Sequence, residues 1–245
     1  MNALGASPPG VIPFGIATAI PVVLATAISC AHPGTEPHEM SLQGHEEAAR
    51  QASQESERLR ENPCPPTTDE AIQTNAVCWT PSLASEAQRA HAAEQQQRLA
   101  EAHRNAAAEL RAEADSACAG VAEADRVTSP FFHVQDLDGA RPLRAPHDSK
   151  RPGQPKIGVT IFVRPVLGLT EQRLQRLVNC HLAQNALVGH VSAVEPDCPL
   201  VPAGVSATVR SAPDRFAVDI KGSSPEVVKE IETRTRLLVG NRWID

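Results

Sequence analysis

The chain has 245 residues and 41% hydrophobic residues, enough for one or two domains, with a net formal charge of −6. The charge is uneven: residues 36–125 hold 17 acidic and 7 basic side chains, net −10, whereas residues 126–245 hold 12 and 16, net +4. That small, dispersed excess excludes the clustered basic footprint of a nucleic-acid binder.

Near its start the chain carries an apolar run, Val11 to Ile28, broken by Pro13 and Pro21. It ends in Ala27-Ile28-Ser29-Cys30, and the sequence turns polar directly afterwards. Small residues just ahead of a cysteine at the end of such a run resemble the signal peptide and lipobox of bacterial lipoproteins. The resemblance implies that residues 1–29 are removed and that Cys30 becomes an acylated first residue, with the membrane as a partner through the lipid. A membrane-spanning anchor fits less well, because two prolines interrupt the run and no Lys or Arg flanks it. Ala31 stands where many inner-membrane lipoproteins have aspartate, so the address implied is the cell envelope, at the periplasmic face of the outer membrane. Residues 30–38 read as a short tether.

Residues 39–125 read as a helical hairpin. Glu39 to Asn62 is rich in good helix formers, and Pro63, Pro65 and Pro66 stop it. Ser82 to Ser116 contains no Gly or Pro, and Ser82 or Ser85 can cap it. Its large apolar residues are few (Leu83, Leu99, Leu110), with alanines between them and no heptad. An alanine-lined pair of helices bending around Cys64 and Cys78 is expected; a solvated tether is the alternative. His38, His45, His91 and His103 are placed on solvated helix faces. Residues 126–156 hold five prolines and no sustained periodicity, and read as a linker that Phe131 and Phe132 dock onto the rest.

Periodicity is clear in residues 157–245. Val159, Ile161 and Val163 alternate with Thr160, Phe162 and Arg164, the pattern of a half-buried strand. Thr170 caps a helix to about Val188, whose apolar face gathers Leu174, Leu177, Val178 and Leu182. A hairpin follows, with Val205, Ala207 and Val209 on one arm and Phe216, Val218 and Ile220 on the other. Ser224 caps a last helix with Pro225 at its first position, apolar at Val227, Val228, Ile231 and Leu238, and Gly240 ends it. Arg242-Trp243-Ile244 can add an edge strand. The expected class is therefore α+β, with a C-terminal βαββα(β) domain that resembles a ferredoxin-like topology. Metal-carrying domains of that topology have Cys-x-x-Cys after the first strand; this chain has Leu167-Gly168-Leu169-Thr170 there.

Export into an oxidising envelope favours disulfides. Two local pairs are expected, Cys64 with Cys78 and Cys180 with Cys198, leaving Cys118 over. No phosphate-binding glycine loop, His-Glu-x-x-His or Gly-x-Ser-x-Gly occurs, and no cofactor or enzyme class is indicated. His181 and Asn185 fall inside an apolar stripe, four residues apart, and read first as a pair satisfied by backbone groups. The sharper alternative is a zinc or copper site built from His181 and His190 with Cys180 or Cys198. The function expected is a lipid-anchored envelope protein with a structural or partner-binding role, and the alternative is a periplasmic metal-binding module.

Overall fold

The computed structural model describes residues 34–61, 83–146, 154–191, 193 and 195–244. The segment expected to be a signal peptide, Cys30, and the expected pair Cys64 and Cys78 lie outside the described residues. From residue 34 onward the described residues form one compact unit. Among the described residues, no helix is long and apolar enough to cross a membrane.

Two long helices open this unit, α1 (Leu42–Arg60) and α2 (Leu83–Ala117). Ser41 starts α1 by accepting a hydrogen bond from the Gly44 N–H at 3.0 Å. Its buried positions, His45, Ala49, Ala52 and Ser56, recur at helical spacing and form one stripe. Across from it α2 buries Ala93, Ala100, His103, Ala107, Leu110 and Ala114. The helices run antiparallel: Ser56 Oγ donates to Ala93 O at 2.9 Å near one end, and His45 meets His103 at 3.1 Å near the other. Small side chains are what let the Ser56 hydroxyl reach a backbone carbonyl of the opposite helix. The end of the expected tether is packed as well, with Pro37 O 3.2 Å from His45 Nε2.

The remainder is mixed α and β, as the sequence indicates. Four strands, β1 (Leu137–Arg144), β2 (Lys156–Val163), β3 (Val205–Ala212) and β4 (Arg215–Gly222), form one antiparallel sheet in the order β1-β2-β4-β3. Helices α3 (Glu171–Leu187) and α4 (Pro225–Val239) complete the core. Their caps follow local chemistry: Thr170 Oγ1 accepts from Arg173 N at 3.2 Å, Ser224 Oγ from Val227 N at 3.3 Å, and Gly240 at φ 57° ends α4. Val159, Ile161, Val163, Val218 and Ile220 point into a core shared with Leu174, Val178, Ile231 and Leu238.

The segment read as a linker is not one. It supplies β1, an edge strand, and buries Phe131, Leu137 and Ala140. Its alternation is hidden by a register shift at Gly139 and by Pro142. Gly139 is required: at φ +139°, a Cβ there would lie 2.3 Å from Arg242 O. The chain end is clamped on the outside of β1, where Arg242 Nη1 donates to Val134 O and Leu137 O, and Ile244 N donates to Ala140 O at 2.8 Å. At the opposite edge, side chains of α3 occupy β3: Gln175 Oε1 accepts from Val209 N, and Glu171 Oε2 accepts from Ser211 N. Those backbone groups are not free to recruit another strand.

The expected Cys180–Cys198 disulfide is replaced by Cys118–Cys180, which joins the end of α2 to the middle of α3. Spacing along the chain favoured the nearer partner; the fold brings Cys118 alongside α3, where Val121 and Leu177 pack around the bridge. Cys198 is a free, buried thiol.

Candidate functional site

His181 lies on the buried stripe of α3, seven residues after Leu174 and three after Val178. The chain leaves α3 through two consecutive left-handed residues, Gly189 (φ 75°) and His190 (φ 57°). It returns over the helix as the segment 195–201, which Leu200 and Val201 root in the core. Arg234, buried on α4, fixes that segment: its Nη1 donates to Glu195 O at 2.9 Å, Pro196 O at 3.3 Å and Cys198 O at 3.4 Å. Its remaining donors face Glu230, with Nε–Oε1 at 3.0 Å and Nη2–Oε1 at 2.9 Å, so its charge is balanced locally.

This scaffold brings three chemically different donors together. Cys198 Sγ lies 3.3 Å from His181 Nε2, Glu195 Oε2 lies 3.1 Å from the same nitrogen, and all three atoms fall within 4.8 Å of one another. His181 and Cys198 are only 4% and 2% exposed. Glu195 Oε2 is itself buried and, despite its closeness to His181, receives no hydrogen bond of acceptable geometry. Ser129 Oγ approaches Cys198 Sγ at 3.5 Å. Ser129 also lines a surface cleft of about 220 Å³ with Asp125, His133, Leu167 and Arg173, so the sulfur sits one side chain from the surface.

Burial holds the His181 imidazole below its usual pKa, against the opposing pull of Glu195. Burial likewise pushes the Cys198 thiol up to about 12. Burial therefore favours a neutral imidazole and a protonated thiol in this cluster. The cluster is a poor nucleophile–base–orienter set. Such a set uses one imidazole nitrogen for the nucleophile and the other for the carboxylate, and it needs an accessible thiolate. Here both partners address Nε2.

Among protein families, curated proteins and solved structures, none matches this chain. Its chemistry rests on the residues alone. Of the four expected metal ligands, the fold gathers His181 and Cys198 and separates the others. Cys180 is spent in the disulfide, and His190 Nδ1 donates to Val201 O at 2.7 Å, outside the cluster. Asn185 does not pair with His181; its Nδ2 is directed to Leu200 O at 3.5 Å. Glu195 was missed, and its signal was a carboxylate three residues before Cys198 in a proline-containing loop.

Two of the helix-pair histidines also depart from expectation. His45 and His103 are buried, not solvated, and their Nδ1 atoms face each other at 3.1 Å. Because His45 Nε2 must donate to Pro37 O, its Nδ1 accepts and His103 Nδ1 carries the proton. His91 and His38 are exposed, the latter 3.2 Å from Glu113.

Proposed function

We propose that this chain is a lipid-anchored envelope protein, acylated at Cys30 at the periplasmic face of the outer membrane, with a structural or partner-binding role. The Ala27-Ile28-Ser29-Cys30 arrangement supports the anchor. Partner binding rests on one observation: exposed apolar side chains line a surface cleft or lie beside its lining residues in sequence. Leu167 and Val166 line it together with Pro130, and Val127 and Phe132, 79% and 68% exposed, flank Pro130 in sequence. Isolated apolar residues on a surface are ordinary, but exposed apolar residues lining a concavity favour an interaction surface. The partner is a second envelope protein presenting an apolar segment.

The same reading treats α1 and α2 as a helical hairpin that spaces or braces the domain. It treats the sheet with α3 and α4 as a ferredoxin-like arrangement whose outer strand comes from the preceding chain. Two measurements test the proposal. Cys30→Ser should move the protein from the membrane to the soluble fraction, and continued membrane retention would refute the anchor. Leu167→Asp with Phe132→Asp should abolish crosslinks to envelope proteins while leaving the melting temperature unchanged; undiminished crosslinking would refute the docking surface.

A further inference from the structure

The geometry points to a mononuclear divalent-metal site of the zinc class, formed by His181 Nε2, Cys198 Sγ and Glu195 Oε2, with an exogenous fourth ligand. This goes beyond the docking role and does not depend on it. Zinc bonds of about 2.0–2.3 Å to nitrogen, oxygen and sulfur, arranged tetrahedrally, set donors about 3.3–3.6 Å apart. The separations from His181 Nε2, 3.3 Å to the sulfur and 3.1 Å to the carboxylate oxygen, fall at or near that range, and all three donor atoms lie within 4.8 Å of one another.

Three further features favour a cation over a merely hydrogen-bonded cluster. First, Glu195 Oε2 is buried among these donors without a hydrogen bond, an arrangement that costs stability unless a positive partner faces it. Second, the charges balance for a divalent ion: thiolate and carboxylate together contribute −2, and the nearby Arg234 is already neutralised by Glu230. A monovalent ion would leave the buried site negative. Third, the donor set mixes imidazole, thiolate and carboxylate, which suits zinc; cuprous ion favours sulfur ligands. Ser129, touching both Cys198 and the cleft, marks the entry side. Arg234 is a positioning residue, since it holds the carbonyls of both Glu195 and Cys198. On binding, the Cys198 thiol releases its proton to solvent as the metal–sulfur bond forms, one proton per ion.

The test uses the full chain with its disulfide intact and Co²⁺ as the probe. One equivalent should produce a near-ultraviolet thiolate-to-cobalt charge-transfer band, displaceable by Zn²⁺, with release of about one proton. Cys198→Ala should abolish the band. Glu195→Gln, which preserves volume and fold, should weaken affinity at least about tenfold, the lower range for disturbing even an outer-shell partner. His190→Ala should leave binding intact. A band unchanged in Cys198→Ala would put the metal on other thiols and overturn the site. So would full affinity in Glu195→Gln, or no band at one equivalent in the natural chain.

Discussion

The two halves of this unit are held together by different means. Between α1 and α2 the contact is mostly alanine, with Ser56, His45 and His103 set into it. Around the sheet it is Val, Ile and Leu, contributed by four strands, two helices and the 195–201 segment. A buried Val, Leu or Ile contributes about 1.5–3 kcal/mol by leaving water, several times what an alanine methyl offers. The helix pair must therefore rely on close approach, on hydrogen bonds between helices and on its covalent link to α3. It is expected to be the more labile half, and each prediction below tests that asymmetry.

The largest effect should come from the link itself. Cys118–Cys180 closes a loop spanning 62 positions, for which chain entropy gives a stabilisation of about 4 kcal/mol. Changing both cysteines to serine should lower the global melting point and expose the helix pair first. Hydrogen exchange measures this directly: amides of α1 and α2 should lose protection well before those of β2 and β4. Equal loss in both regions would show that the unit unfolds as one and that the asymmetry is wrong.

The same contrast explains what the sequence revealed. Caps are local chemistry, so Thr170, Ser224-Pro225 and Gly240 were readable where they stand. The β2 pattern survived because its core-facing residues are large and alternate without interruption. β1 was lost because Gly139 shifts its register and Pro142 interrupts its alternation, both in the service of an edge position. His45 and His103 were misread because an alanine stripe has too little contrast to announce a buried face. The cysteine pairing and Glu195 depend on which loops meet, and spacing along the chain does not encode that.

A seam of alanines tolerates enlargement badly. Ala100 is wholly buried, so Ala100→Leu must part the helices or strain a rotamer, at about 1–3 kcal/mol. In the sheet core, Ile161→Val should cost only about 0.5–1.5 kcal/mol, since one methylene is removed and neighbours relax partly. Paired denaturant titrations check the ordering. If the alanine replacement is the milder of the two, the seam is looser than the contacts imply.

Acidification should act on the helix pair through the buried histidines. His103 is held below its ordinary pKa, first by burial and then by His45 beside it. The native state therefore favours neutral His103, while the unfolded chain binds a proton near pH ~6.5. Stability conferred by the neutral ring is present above that value and is lost as pH falls towards the folded pKa. Thermal melts followed by helical circular dichroism should fall in midpoint below about pH 6.5. His103→Gln should flatten that dependence; an unchanged pH profile in the variant would assign it elsewhere, with His181 the next group to test.

The smallest effect expected is that of Ser56→Ala. Its hydroxyl donates to Ala93 O across the seam at 2.9 Å, but that carbonyl sits in the interior of α2 and keeps its helical hydrogen bond. Removing the hydroxyl leaves no buried group unsatisfied, so only the net worth of one hydrogen bond is at stake, about 0.5–1.5 kcal/mol. Alanine also has the higher helix propensity and matches the rest of the seam, which offsets part of that loss. The expected change is a destabilisation below about 1 kcal/mol. A larger loss would mean that the hydroxyl sets the spacing of the helices rather than filling it. In that case the seam is specified by its polar contacts more than by its alanines, and Ala100→Leu would have to be reinterpreted as a clash with a distance fixed at Ser56.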